Sequence, residues 1–107
     1  MASDYILVMS TVPSEDQGKE IARTLINEKL VPCVNIIPAV KSLYMWKNKL
    51  NEDDELILIM KSKASLFDKI KERILELHSY ECPEIIALPI INGFESYLNW
   101  IDENTSE

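Results

Sequence analysis

The stretch Tyr5-Ile-Leu-Val-Met-Ser-Thr-Val12, together with Glu55-Leu-Ile-Leu-Ile-Met-Lys61, decides the fold of this chain. In both stretches, apolar residues occur at odd and at even positions, so both faces of an extended strand would be apolar. Strands that are covered on both faces have this composition, whereas a half-exposed strand alternates apolar and polar residues. The sequence therefore predicts that these two stretches are central strands of a sheet.

A helix is predicted after each central strand. The first helix runs from about Ser14 to Lys29 and opens with a capping box, in which the Ser14 hydroxyl accepts from the third amide and the Gln17 side chain reaches back. The second helix is capped at Ser65 and ends near His78, with apolar residues at helical spacing between them. Both helices are amphipathic, so each should pack one face onto the sheet.

The remaining segments are extended, apart from one short helix near the C-terminal end. Val31–Ile37 and Ser42–Trp46 are β-rich and separated by a proline, and a polar turn at Lys47–Asp54 leads into the second central strand. Ile85–Ile90 contains a proline, which suits an edge strand because proline cannot donate to a ladder. A short helix is predicted over about Phe94–Ile101.

The order β-α-β-β-α-β with an added helix predicts an α+β fold, the ferredoxin-like split βαβ, as a single domain over residues 1–107. Right-handed crossovers place both helices on one face of an antiparallel sheet. The other face would then be apolar and exposed, so a partner chain is expected to cover it. Cys33 and Cys82 lie at opposite edges of this sheet, too far apart for a disulfide, so both should be free thiols.

Composition excludes several classes of function. The chain has 107 residues and a net charge of −7, which disfavours binding to nucleic acids. Its two glycines exclude a Walker loop and a dinucleotide-binding fingerprint, and its single histidine excludes a multi-histidine metal site within one chain. The longest apolar run, Leu56–Met60, is too short to span a bilayer, and no secretory signal is recognisable. We therefore expect a soluble, cytoplasmic protein without a membrane span.

The densest group of candidate ligands follows the second helix. Imidazole, thiol and carboxylate groups at His78, Glu81, Cys82 and Glu84 suit a borderline or soft divalent metal such as copper, and Tyr80 lies among them. The alternative interpretation is structural. A histidine in the last turn of a helix is stabilised by the helix dipole, and the acidic side chains are simply solvated.

Two further groups are candidates for ligand binding. Tyr44 and Trp46 share one face of a strand and could wall a ligand pocket, although core or interface packing is the commoner role of such residues. Lys61 at a strand end could bind an anion, or it could be paired with a protein group. His78 is the only histidine available as a general base, and nothing in its spacing places it beside a particular serine or cysteine, so no catalytic function is predicted.

Five motifs, in the same order along the chain, resemble the CutA family of divalent-cation tolerance proteins. They are Cys33-Val-Asn-Ile-Ile-Pro38, Ser42-Leu-Tyr-Met-Trp46, Lys61-Ser62, His78-Ser-Tyr-Glu-Cys-Pro-Glu84 and Tyr97-Leu-Asn-Trp-Ile101.

This resemblance implies a ferredoxin-like homotrimer that covers the apolar sheet face and pairs the long hairpins between subunits. It also implies binding of copper or a similar divalent ion. His78 matches the histidine of the bacterial copper-binding pattern, whereas Ser10 stands where that pattern has a cysteine. The candidate cleft would lie near a subunit boundary, approached by Lys61 and Trp46 from strand ends.

The sequence therefore supports two alternative hypotheses of function, from different classes. The first is a trimeric, non-enzymatic protein that binds divalent cations. The second is a trimeric sensory or scaffold module, similar to the PII signalling proteins, that binds a small ligand or a protein partner between subunits.

Overall fold

The computed structural model of the chain describes residues 4–106, and the predicted order of elements is confirmed. The elements are β1 (Tyr5–Val12), α1 (Glu15–Asn27), β2 (Cys33–Trp46), β3 (Lys49–Lys63), a 3-10 turn (Ala64–Leu66), α2 (Phe67–Leu77), β4 (Ile85–Pro89) and α3 (Glu95–Glu103). None of the helices in the described residues is long and apolar enough to cross a membrane.

The four strands form one antiparallel sheet in the order β2-β3-β1-β4. The two stretches with apolar residues at both positions, β1 and β3, are the central strands, as predicted. Their register places Val8 opposite Met60, so the apolar positions of the two strands meet on the same face. The fold is therefore the predicted ferredoxin-like arrangement of strands and helices.

The hydrophobic core lies between the sheet and the two helices α1 and α2. Alternate residues of β1 point into it and are buried, while the intervening residues are only half-buried. Its fully buried apolar side chains include Val8 and Val12 from β1, Ile21 and Leu25 from α1, Leu58 and Met60 from β3, and Ile70 and Ile74 from α2. Burial of each such side chain stabilises the fold by about 1.5–3 kcal/mol.

The second face of the sheet is covered only at one end, by α3. Cys33 and Lys61 pair across strands on this face, and the Tyr97 hydroxyl of α3 lies 3.8 Å from the Cys33 sulfur. Nearby, the Tyr5 hydroxyl donates to Asp102 at 2.6 Å. The rest of this face keeps large apolar side chains at the surface, among them Ile86 and Leu88.

The long hairpin predicted from the sequence is present as β2 and β3, but β3 begins earlier than predicted. The predicted polar turn at Lys47–Asp54 is wrong, because β3 already begins at Lys49 and the turn consists of Lys47 and Asn48. Both turn residues have positive φ, 53° and 64°, as in the type I′ turns that close tight hairpins. Residues 40–55, which we call the hairpin arm, extend beyond β1 as a two-stranded ribbon.

The predicted break in the second extended segment is a bulge within one continuous strand. The register of β2 against β3 shifts between Ile37 and Val40, and Ala39 has a φ of 63°. Pro38, which cannot donate to the ladder, lies at this irregularity. The strand therefore bends here and continues into the hairpin arm.

The helix caps differ in part from the predictions. The Ser14 hydroxyl accepts from the Gln17 amide at 3.2 Å, which confirms the first half of the capping box. The second half is wrong, because the Gln17 side chain bonds instead to Ser79. Ser65 does not cap the second helix, since it lies in the 3-10 turn and the α-helix begins at Phe67 without a side-chain cap.

The cysteines are unpaired, as predicted. Cys33 opens β2 and Cys82 precedes β4, and these strands form opposite edges of the sheet. Cys33 is half-buried and Cys82 is exposed.

Candidate functional site

A cleft of about 700 Å³ lies where the hairpin arm meets the loop that follows α2. We call it the hairpin cleft. The arm contributes Tyr44, Trp46 and Glu55, and the loop contributes residues 79–82 and Glu84. Because the loop follows the C-terminal end of α2, its position depends on how that helix end is fixed to the sheet.

His78 fixes the loop to the central strand β1. Its side chain is buried, its Nε2–H donates to the Thr11 carbonyl at 2.7 Å, and its Nδ1 accepts from the Tyr80 amide at 3.1 Å. These partners assign the proton of a neutral ring to Nε2. The imidazole also contacts the Tyr80 ring, with centroids 4.6 Å apart. Both ring nitrogens are therefore engaged within the protein, and His78 does not line the hairpin cleft.

A second connection joins the loop to the start of α1. The Ser79 amide donates to Gln17 Oε1 at 3.1 Å, and Gln17 Nε2 donates to the Ser79 hydroxyl at 3.0 Å. The two residues are 62 positions apart, so no local pattern predicts the contact. With the His78 bonds, it holds the loop at two points.

Asp53 and Glu55 of the arm, each hydrogen-bonded to a tyrosine, form a polar wall where the arm meets the loop. The Tyr80 hydroxyl donates to Glu55 at 2.7 Å, and the Tyr44 hydroxyl donates to Asp53. Burial, and then the hydrogen bond to Glu55, raise the pKa of Tyr80 above its ordinary value. The bond to Asp53 is the main reason why the pKa of Tyr44 is also raised. Both phenols therefore remain protonated hydrogen-bond donors at neutral pH.

The predicted metal ligands do not all meet. Glu81, Cys82 and Glu84 line the hairpin cleft with exposed side chains, whereas His78 is turned away from them. Among residues 4–106 no group of three or more His, Cys, Asp or Glu side chains is placed to hold a metal ion. One subunit alone thus does not provide a fitting metal site, and the metal set stays a prediction.

Of the predicted ligand-binding residues, Tyr44, Trp46 and Tyr80 come together in the hairpin cleft, and Lys61 does not. Lys61 is six residues along β3 from Glu55, which corresponds to about 20 Å of extended strand. Its ammonium lies by the Asn35 side chain and 3.9 Å from the Cys33 sulfur. Lys61 therefore lies away from the cleft of its own chain, and its approach to a cleft at a subunit boundary stays a prediction.

Sequence reasoning missed Asp53 and Glu55 as site residues. The sequence pattern places Asp53 in a turn and Glu55 only at the start of a strand. Their spacing of two residues places them on one face of β3, next to Tyr44 on the paired strand. If the predicted strand had begun at Lys49, this spacing would have indicated that Asp53 and Glu55 share one face of it.

Comparison with known proteins identifies the family. Residues 6–104 match the family model described as CutA1 divalent ion tolerance protein. The chain is 48% identical over 99 residues to the divalent-cation tolerance protein CutA of Thermus thermophilus, covering 92% of this chain and 96% of that protein. It is 42% identical to the chloroplastic protein CutA of Arabidopsis thaliana, where it covers 94% of this chain but only 55% of the relative.

Solved structures agree with this match. The crystal structure of CutA1 from Oryza sativa superposes with a TM-score of 0.95 at 42% identity, covering 99% of this chain and 97% of that one. CutA1 from the psychrotrophic bacterium Shewanella sp. SIB1 gives a TM-score of 0.96 at 36% identity, with both chains fully covered. With the fold, the motifs and the family model in agreement, the chain belongs to the CutA1 divalent ion tolerance family.

Proposed function

We propose that this chain forms a cytoplasmic homotrimer that binds divalent cations, copper among them, and catalyses no reaction. Family membership supports the role in divalent-cation tolerance. The observation that supports metal binding is the hairpin cleft, in which Glu81, Cys82 and Glu84 face solvent. Alone, these residues do not complete a metal site. A second subunit would have to supply the missing ligands.

The surface of the single chain favours assembly. Leu43, Met45 and Leu50 on the hairpin arm are 61%, 65% and 70% exposed, and a two-stranded ribbon is marginally stable without cover. The chain exposes 6859 Å², against about 6,100 Å² for a compact monomer of this mass. Its radius of gyration is 14.4 Å, against about 13 Å for a compact domain of this length. The number of three subunits follows from the family resemblance.

A metal site shared between subunits is consistent with the chemistry of the cleft. Carboxylates and a thiol are suitable ligands for copper and zinc. Cys82 is exposed and free, so its thiolate is accessible to an incoming ion. Free thiols also favour a reducing compartment such as the cytoplasm.

The hydrogen bonds of His78 favour a non-enzymatic role. A nucleophile such as Ser79 or Cys82 needs a neighbouring base to be activated. His78 is the only histidine of the chain, and both of its nitrogens are engaged by backbone groups. It therefore acts as a structural residue that positions the loop.

The assembly is tested by light scattering at low micromolar subunit concentration. We expect the mass of a trimer, and the mass of a monomer would contradict the proposed assembly. Metal binding is then measured by titration calorimetry with Zn²⁺ and Cu²⁺.

The metal titration compares matched variants. Cys82→Ser and the double variant Glu81→Gln, Glu84→Gln should each weaken binding by about tenfold or more, because each removes a ligand. The control is Glu103→Gln, an exposed carboxylate on α3 outside the cleft. Unchanged affinity in both cleft variants would exclude metal binding at this site.

A further inference from the structure

Glu55 is a buried carboxylate without a cationic partner. It is 7% exposed and lines the hairpin cleft, and its hydrogen bond comes from the neutral Tyr80 hydroxyl. In the part of the chain that the structure describes, no Lys or Arg nitrogen lies within 4.0 Å of it. An uncompensated buried charge is costly, so a cation that reaches this carboxylate would be stabilised.

The cationic side chain that lines the cleft is exposed and already paired with a carboxylate. Lys41 forms an ion pair with Asp54 at 2.5 Å. Two exposed carboxylates, Glu81 and Glu84, also line the cleft. The cleft therefore presents one carboxylate at depth and two near its mouth, and it attracts positive charge along its length.

The walls of the cleft are aromatic as well as acidic. Tyr44 and Trp46 from the arm and Tyr80 from the loop line it together. Aromatic faces attract ammonium groups and also pack against methylene chains. One such contact already exists in this chain, since the Lys47 ammonium lies 6.0 Å from the centroid of the Trp46 ring.

From this arrangement we propose that the hairpin cleft binds aliphatic polyamines, with one ammonium group on Glu55, the methylene chain against Trp46, and a second ammonium at the rim carboxylates. An organic ammonium needs one carboxylate and aromatic contact, whereas a metal ion needs three or more converging ligands, which residues 4–106 do not provide. The volume of about 700 Å³ is within the range of small-molecule sites. This function goes beyond divalent-cation binding and does not depend on it.

The test is titration calorimetry of the assembled, metal-free protein with 1,4-diaminobutane. The expected result is saturable binding of one diamine per subunit that weakens as salt is added. The neutral analogue 1,4-butanediol, which has the same chain without charge, should not bind. A wild-type protein that does not bind the diamine, as when a lysine of a second copy fills the cleft, would overturn the proposal.

Matched variants locate the site. Glu55→Gln keeps the hydrogen-bond acceptor for Tyr80 but removes the charge, and it should weaken diamine binding by about tenfold or more. Glu52→Gln removes an exposed carboxylate from the same strand, outside the cleft, and should leave binding unchanged. Equal losses in both variants would indicate nonspecific attraction to an acidic surface, and the proposal would be wrong.

A second readout applies even if Glu55→Gln fails to fold. Trp46 and Trp100 are the two tryptophans of the chain, so Trp100→Phe leaves Trp46 as the single fluorescent reporter. Its emission should change in step with the calorimetric titration. Trp46→Leu, at a partly exposed position, should weaken binding several-fold because it removes the aromatic face against which the methylene chain packs. Unchanged affinity in Trp46→Leu would contradict the assignment of the site.

Discussion

Two buried serines on the central strands provide a matched test of how hydrogen bonding stabilises this core. Ser10 on β1 and Ser62 on β3 are both fully buried on the helix-covered side of the sheet. The Ser62 hydroxyl donates to the Leu30 carbonyl at 2.6 Å. The Ser10 hydroxyl has no hydrogen-bond partner among residues 4–106. Substitution of each by alanine should therefore change the free energy of unfolding in opposite directions.

The magnitudes follow from the two environments. A buried hydroxyl without a partner costs about 1–3 kcal/mol, so Ser10→Ala removes this cost and loses only the contacts of one oxygen atom. We expect a stabilisation of about 1 kcal/mol. Ser62→Ala loses a hydrogen bond and deprives the Leu30 carbonyl of its donor, which should destabilise the protein by about 1–2 kcal/mol.

Urea-induced unfolding, followed by far-UV circular dichroism, measures both variants. The subunit concentration must be held constant, because assembly couples the free energy of unfolding to concentration. Equal m-values would show that the variants differ in stability and not in the surface exposed on unfolding. In thermal unfolding, 1 kcal/mol corresponds to a shift in Tm of about 4–8 °C for a domain of this size.

A loss of stability in Ser10→Ala as large as that in Ser62→Ala would refute this reasoning. The two hydroxyls would then contribute equally, and the unpaired state of Ser10 could not be a cost to the fold.

Three other predictions concern the loop and the thiols. His78→Ala should lower the free energy of unfolding by about 2–4 kcal/mol, since the Thr11 carbonyl and the Tyr80 amide lose buried partners. Chemical denaturation measures this change, and a change below about 0.5 kcal/mol would contradict the prediction. The pKa of Tyr80 is raised in the folded protein, so the stability it contributes is full below about pH 10, its unfolded value, and is lost as the pH rises further. Tyr80→Phe should flatten this alkaline loss in denaturation curves measured from pH 8 to 11, and an unchanged slope would exclude the effect. Exposed Cys82 should react with a thiol reagent faster than half-buried Cys33. The mass of the chain under non-reducing conditions should equal that of the reduced chain, and a mass lower by two hydrogen atoms would show a disulfide.

The central strands and the order of elements could be predicted from the sequence because burial on two faces leaves a local pattern. β1 and β3 carry apolar residues at both alternating positions, and only central strands of a covered sheet need this composition. The apolar stripes of α1 and α2 are likewise local. Once the order was known, right-handed crossovers allowed few topologies, and one of them places these strands in the centre.

Of the hairpin arm, the sequence predicted the strand Ser42–Trp46 but not its partner, because residues 49–54 have no buried face in one chain. Apart from Leu50, residues 49–54 are polar, and most of them are exposed, so they resemble a turn in composition, although they pair along their length with residues 41–46. The signal for the true turn lies in positive φ at Lys47 and Asn48, which is a property of the backbone and not of hydrophobic periodicity.

The sequence by itself determined which residue types are available to the hairpin cleft, and it identified Tyr44, Trp46 and Tyr80 as candidates. Only the tertiary structure decided which groups meet. The pairs Tyr80–Glu55 and His78–Thr11 are 25 and 67 residues apart, so their contacts depend on how the crossovers bring distant segments together. For this reason His78 became an internal support of the loop, Lys61 was placed at the far end of its strand, and Glu55 became the buried charge of the cleft.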